Sequence, residues 1–437
     1  MTWRVAVVGG GIGGAAAARR LAGDGAEVTL LERSPTLGGL VVSFAVGGTP
    51  LECFYHHVFP HEHHVIGLID ELGLGADLDW HATNMGVFVD GKPWPFTSPL
   101  DLLRFRPLPF VDRLRTGVGA LRLGRVKDWQ ALDDVAARDW LTAYTSPRAG
   151  TLVWDPLLRA KFGSAAPAVP AAWMWGRFQQ RAAARSAGRE KLGYLRGGFR
   201  RLFDALDTDL RARGVDVRLG CAVESIVVEG TRVVGVRVSG ETLAFDHVVF
   251  AGTLNGLASL VPAQHHDARW TAIDALGVQC VVLELARPLT DAYWTNVCDA
   301  RLPFGGIIEH TNMIPAADYG GRHVVYLSRY FTAEEPLAHA DPAQETQRWI
   351  DALAATFPGF DRRDVLAAHP FKTPYAAPVV TRGYASKIPP AATHLDGLTI
   401  STTAQIYPQD RGMSEAIRTG LVAAGIARAR AHAPRPA

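Results

Sequence analysis

The strongest constraint on this chain lies in its first forty residues. A short apolar run, Val5 to Val8, leads into Gly9-Gly10-Gly11-Ile12-Gly13-Gly14, and an Ala-rich segment follows to Leu21. A second apolar run, Val28 to Leu31, ends in Glu32. The order is strand, glycine turn, helix, strand, acid, the first half of a doubly wound α/β unit. Gly9 permits the tight turn off the strand, Gly11 lets the backbone approach a pyrophosphate, and Gly14 lets the helix pack closely on the sheet. The unpaired N–H groups at the helix start receive the phosphate charge. Glu32, eighteen residues after Gly14, is placed to accept hydrogen bonds from an adenosine ribose, and it repels a ribose phosphorylated there. The unit therefore predicts a dinucleotide other than NADP.

The continuation separates NAD from FAD. Glu32-Arg33-Ser34-Pro35-Thr36-Leu37-Gly38-Gly39 carries a Gly pair six residues after the acid. This resembles the flavoproteins of the amine oxidase, protoporphyrinogen oxidase and UDP-galactopyranose mutase superfamily. The resemblance implies FAD, held by Gly9, Gly11, Gly14, Glu32, Arg33, Gly38 and Gly39. Many members have Arg where this chain has Leu40.

Two later stretches extend the likeness. Gly197-Gly198 ahead of an amphipathic helix resembles the superfamily's return segment, and in Val223-Glu224-Ser225-Ile226 the backbone of Val223 corresponds to the adenine contact. The strand, loop and helix from Leu398 through Met413 resemble the closing motif, which implicates Gln405, Gly412 and Met413. The family's strand commonly ends in Ala-Gly-Asp or Ala-Gly-Glu, whereas this chain has Thr403-Ala404-Gln405.

With 437 residues, the chain is long enough for two domains. The resemblance implies a discontinuous, Rossmann-like α/β FAD-binding domain (1–90, 190–255 and 371–437). It also implies a mixed α+β substrate domain with a sheet and a helical lobe (91–189 and 256–370). A net charge of +2 gives no reason to expect nucleic acid. The four scattered cysteines suit a reducing, cytoplasmic setting and form no zinc spacing. No run of eighteen apolar residues is present to span a membrane.

Five of the 15 histidines fall between positions 56 and 64. Consecutive His56 and His57 point to opposite faces of a strand, which argues against a metal site. The stretch Tyr55-His56-His57-Val58-Phe59 resembles the mutase motif in which Tyr, His and an aromatic approach the flavin, making His57 the active-site candidate. The bland alternative is a solvated histidine-rich loop. Lys161, two residues after Arg159, reads either as a cation near the flavin or as a surface lysine. Glu309, at a strand end, reads as a substrate contact or a turn residue, and Tyr375 and Arg411 complete the expected substrate contacts.

From Leu100 to Val126 the chain mixes apolar residues, among them Phe105, Leu108, Phe110 and Leu114, with six arginines. The two readings are a helical lobe with a solvated basic face and a helix in peripheral contact with an anionic membrane.

Three functions remain open. The first is an FAD-dependent oxidoreductase moving hydride from a bulky small molecule, a nucleotide- or lipid-linked sugar or an amine, to flavin N5. The second is a redox-neutral sugar mutase, with Arg159, Arg177, Arg382 and Arg411 on the phosphates. The third is a non-catalytic flavin-binding subunit.

Overall fold

The computed structural model describes residues 3–186 and 189–431. A five-stranded, all-parallel sheet runs in the order Asp216–Arg218, Glu27–Leu31, Arg4–Val8, His247–Phe250, Leu398–Ile400. In the first two strands by sequence only the leading residue is exposed and the other four are buried, as expected for strands covered on both faces. The strands come from three separate parts of the chain, so the sheet is discontinuous in sequence.

The first helix, Ile12–Gly23, leaves the carboxyl end of Arg4–Val8, and the closing helix, Met413–Ala431, follows Leu398–Ile400. Their backbones nearly touch. A Cβ on Gly420 would fall 2.1 Å from the Gly13 carbonyl oxygen, so only glycine permits this contact. Both helix N-termini thus open at the carboxyl edge of the same sheet, where open α/β sheets bind ligands.

A seven-stranded sheet runs Val365–Pro378, Ala275–Leu285, His323–Phe331, Gly306–Glu309, Trp294–Val297, Met85–Val89, Lys92–Pro95. All its pairings are antiparallel except that of Trp294–Val297 with Met85–Val89. Asp90 and Gly91 make the hairpin turn with φ of 52° and 72°, the left-handed pair that suits a two-residue connection. Met85–Val89 and residues 371–378 hydrogen-bond within this sheet, although the boundaries expected at 90 and 371 would assign both to the other domain. Sheet membership follows backbone pairing, which continues in one strand as far as Pro378.

The helical lobe lies between these strands in sequence. It contains Pro99–Arg104, Phe110–Leu123, Ala137–Tyr144, Asp155–Phe162 and Ala171–Ala183. Among the described residues, no helix is long and apolar enough to cross a membrane.

Candidate functional site

The amino-terminal turn has two kinds of glycine. Gly9 has φ 111°, and a Cβ there would lie 2.3 Å from the Ala251 carbonyl oxygen; one on Gly14 would lie 2.0 Å from that of Gly9. Both are required by the fold itself. Gly11, by contrast, has an ordinary φ of −67°, and a Cβ there would meet no heavy atom within 4 Å. The space in front of the helix N-terminus is open, and a side chain would fill it.

The Gly38 N–H donates to the Gly10 carbonyl at 3.0 Å, and a Cβ on Gly39, at φ 59°, would sit 3.3 Å from Gly11 Cα, so the second glycine pair leans on the first. Glu32 is held at the strand end, its carboxylate accepting from the Gly10 N–H at 2.6 Å and the Ser34 N–H at 2.7 Å. The Cys221 N–H donates to the Glu32 carbonyl at 2.8 Å, which brings the start of Val223–Glu229 beside the acid. Arg33 is exposed. These residues fit the adenylate and pyrophosphate of FAD: an open glycine position, a helix N-terminus and a fixed carboxylate converge.

Gly412 precedes the closing helix, and Met413, buried, begins it. Gln405 has a different task from the family acid. Its side-chain oxygen accepts from the Thr402 N–H at 2.9 Å and its amide donates to the Pro389 carbonyl at 3.1 Å. Both polar ends are used within the protein.

Arg411 stands two residues before the closing helix and anchors a polar cluster. Its guanidinium donates to the Tyr330 hydroxyl at 3.0 Å, and Tyr330 is also hydrogen-bonded to Tyr55. Lys161 Nζ sits 4.2 Å from the Tyr330 ring centroid and 3.5 Å from Asp410, and Arg177 reaches the same carboxylate at 3.2 Å. Burial pushes the Tyr330 phenol up, but Lys161 and Arg411 outweigh it and hold it below the usual phenol range. Burial likewise opposes the charge on Asp410, and the same cations with Arg177 hold it ionised. Two cations thus pair with one carboxylate and Arg411 adds a third positive charge nearby, and Arg411 Nε is buried with no hydrogen-bond partner among the described residues. That is unused donor capacity within the cluster.

Tyr55 meets Trp294 edge-on at 5.0 Å and Tyr326 at 6.1 Å, giving the cluster an aromatic wall. His57 follows. Its Nδ1 shares a hydrogen bond of 3.2 Å with the Tyr293 hydroxyl, and its ring meets Phe59 edge-on at 4.9 Å. Burial, reinforced by His56, Arg177 and Arg181, pushes its imidazole down to about 3. His57 is therefore neutral at ordinary pH, a hydrogen-bond partner and a weak base.

The structure brings His57, Lys161 and Arg411 into one region and leaves two expected contacts elsewhere. The buried Glu309 carboxylate accepts from the N–H groups of Leu289, at 3.0 Å, and Thr290, at 2.5 Å, stabilising a turn. Tyr375 is 41% exposed on an outer strand, away from the cluster's hydrogen bonds. Of the arginines offered for phosphates, Arg177 pairs with Asp410 and Arg411 with Tyr330 in the same cluster, whereas Arg159 and Arg382 are exposed.

Sequence reasoning missed Tyr330 and the buried Glu52. The available signal for the first was Tyr326, Ser328 and Tyr330 at even spacing on one strand, which puts them on one face. Glu52 accepts from the Tyr194 hydroxyl and the Phe199 N–H, each at 2.7 Å, and burial raises it to about 7.

The family model described as flavin containing amine oxidoreductase matches residues 12–427. A hydroxyneurosporene desaturase of Rubrivivax gelatinosus is 29% identical over 293 residues, 59% of this chain and 54% of that protein. The chain thus spans about half the length of the curated relatives it matches first. Among solved structures, a reduced UDP-galactopyranose mutase aligns with a TM-score of 0.78 at 16% identity, covering 99% of this chain and 97% of that one. The cyclohexylamine oxidase of Brevibacterium oxydans aligns with a TM-score of 0.77 at 17% identity, covering 99% and 100%. At these identities the structural matches establish the fold.

Proposed function

Because the chain belongs to the flavin containing amine oxidoreductase family, whose cofactor is FAD, we propose that it is an FAD-dependent oxidoreductase for a bulky small molecule that is neutral or anionic. FAD, when bound, supplies a two-electron acceptor for hydride leaving a C–H bond. The observation that carries the substrate reading is the excess of cations in this cluster: Lys161 and Arg177 pair with Asp410, and Arg411, beside them, is bonded to Tyr330. A protonated amine entering beside this net positive charge is repelled, whereas an oxygen-bearing group is attracted.

The residues divide the work. Arg411, through its unpartnered Nε, holds an oxygen of the substrate. Lys161 and Arg177 keep Asp410 ionised, and Asp410 accepts the Arg411 N–H at 3.0 Å and fixes that loop. Tyr55, Trp294 and Tyr326 provide the apolar wall and help exclude water. Neutral His57 positions a water or a substrate hydroxyl without adding charge. The Rubrivivax relative is named for a hydroxylated substrate, which carries one such oxygen.

The same cations favour a second reading, a redox-neutral mutase in which they hold the diphosphate of a nucleotide sugar. Anaerobic mixing of the FAD-loaded protein with long-chain alcohols, nucleotide sugars and primary amines separates the two. Substrate-dependent bleaching by an oxygenated apolar compound supports the oxidoreductase. Turnover only after dithionite reduction, with the flavin returned unchanged, supports the mutase. Replacing Arg411 with Met should raise KM for an accepted oxygenated substrate roughly 10- to 100-fold, the loss of one charge-assisted hydrogen bond. Bleaching by primary amines alone would overturn the substrate reading.

A further inference from the structure

The helix Phe110–Leu123 is amphipathic with its faces reversed. Thr116, Gly119 and Leu123 are buried on one side. A Cβ on Gly119 would lie 2.1 Å from the Tyr144 carbonyl oxygen, so the helix backbone is pressed against Ala137–Tyr144 and its orientation is set by glycine. At 100° per residue the opposite side carries Phe110, Val111, Leu114, Val118 and Leu121, which are 58%, 63%, 45%, 49% and 69% exposed. The preceding helix, Pro99–Arg104, adds Leu100 and Leu103 at 50% and 41%. A Cβ on Gly117 would lie 3.6 Å from Leu102, and Arg113 donates to the Leu103 carbonyl, so the two helices form one surface. Seven of the 12 large apolar side chains most exposed among the described residues therefore lie in this short stretch, a patch rather than scatter. The solvated basic face expected of this segment is replaced by an apolar face with basic edges. Phe105 and Leu108 point inward instead.

The rim identifies the partner. Arg104, Arg106, Arg115, Arg122 and Arg125 are exposed around the apolar side chains, and none forms an ion pair among the described residues. Asp101, in a capping box with Ser98, keeps its negative charge near Arg104, which leaves Arg106, Arg115, Arg122 and Arg125 as the uncompensated rim. Two copies of this surface facing each other would oppose like charges, which disfavours a second copy of the chain. An apolar stripe flanked by unpaired arginines complements the acyl boundary and headgroups of an anionic bilayer. We propose that helices Pro99–Arg104 and Phe110–Leu123 dock the protein on an anionic membrane surface, with Phe110, Val111, Leu114, Val118 and Leu121 inserted below the headgroups. The inference is independent of the substrate.

The test is sedimentation of the FAD-loaded 437-residue chain with vesicles of phosphatidylcholine mixed with phosphatidylglycerol, and with phosphatidylcholine alone. The protein should pellet with the mixed vesicles, weakly or not at all with the neutral ones, and less as salt rises. The L114D/V118D variant should stay in the supernatant with an unchanged melting temperature, since both side chains already face outward. The R115Q/R122Q variant should bind the mixed vesicles roughly 30-fold more weakly, about fivefold for each arginine. The proposal fails if the wild type does not pellet, if R115Q/R122Q binds as the wild type does, or if gel filtration shows a dimer that L114D/V118D splits.

Discussion

Replacing Gly11 with Ala should separate the cofactor's requirement from the protein's own. The backbone at Gly11, φ −67° and ψ 170°, accepts any residue, and the added methyl meets no protein atom within 4 Å. The stability of the apoprotein should therefore change by less than about 1 kcal/mol, the net of a slightly poorer N-cap and a less flexible unfolded chain. The methyl does occupy the open space at the helix start, where a pyrophosphate needs close approach. Losing two charge-assisted hydrogen bonds from backbone N–H groups costs about 1.5–3 kcal/mol each, so FAD affinity should fall by roughly two to four orders of magnitude. Gly14→Ala is the contrasting variant. Its methyl would lie 2.0 Å from the Gly9 carbonyl oxygen and 3.0 Å from Ala251 Cβ, both held by the sheet. The apoprotein itself should lose about 3 kcal/mol or more. Urea unfolding of both apoproteins, with FAD titration followed by flavin fluorescence, measures the two effects separately. Wild-type FAD affinity in Gly11→Ala, or an unaltered unfolding midpoint in Gly14→Ala, would refute the assignment of these roles.

Two further predictions concern pH. Burial raises Glu52 from 4.5 to about 7, so its contribution to stability is fully present below pH 4.5 and is lost as pH rises through about 7. The shift corresponds to about 3 kcal/mol, and Glu52→Gln should flatten that slope in melting temperature against pH; an identical slope in both proteins would rule out Glu52 as its source. His57 runs the other way. Burial lowers it from 6.5 to about 3, so its contribution is present above pH 6.5 and is lost as pH falls through about 3. His57→Gln should move the acid-unfolding midpoint to lower pH, and a shift to higher pH would contradict the neutral, buried imidazole.

Local spacing alone determined the amino-terminal unit and the Asp90-Gly91 turn, and the closing helix beginning at Met413 was legible through the family resemblance. In the first two, the physical constraint acts within a few residues: a turn geometry, a helix start, an apolar period. The discontinuity of the parallel sheet came from the family resemblance of Gly197-Gly198 and of the closing segment, not from local pattern. The polar cluster was only partly legible. Lys161, Arg177, Tyr330 and Arg411 are far apart in sequence, and the packing of two helices, one strand and the loop before the closing helix brings them together with Tyr55. Register turned Glu309 toward the Leu289–Thr290 turn and left Tyr375 outside, since a side chain's face on a strand depends on pairing partners that no local pattern specifies. The helix Phe110–Leu123 shows the same limit. Its sequence contains an apolar stripe, but the close approach of Gly119 to the Tyr144 carbonyl directs that stripe to the outside.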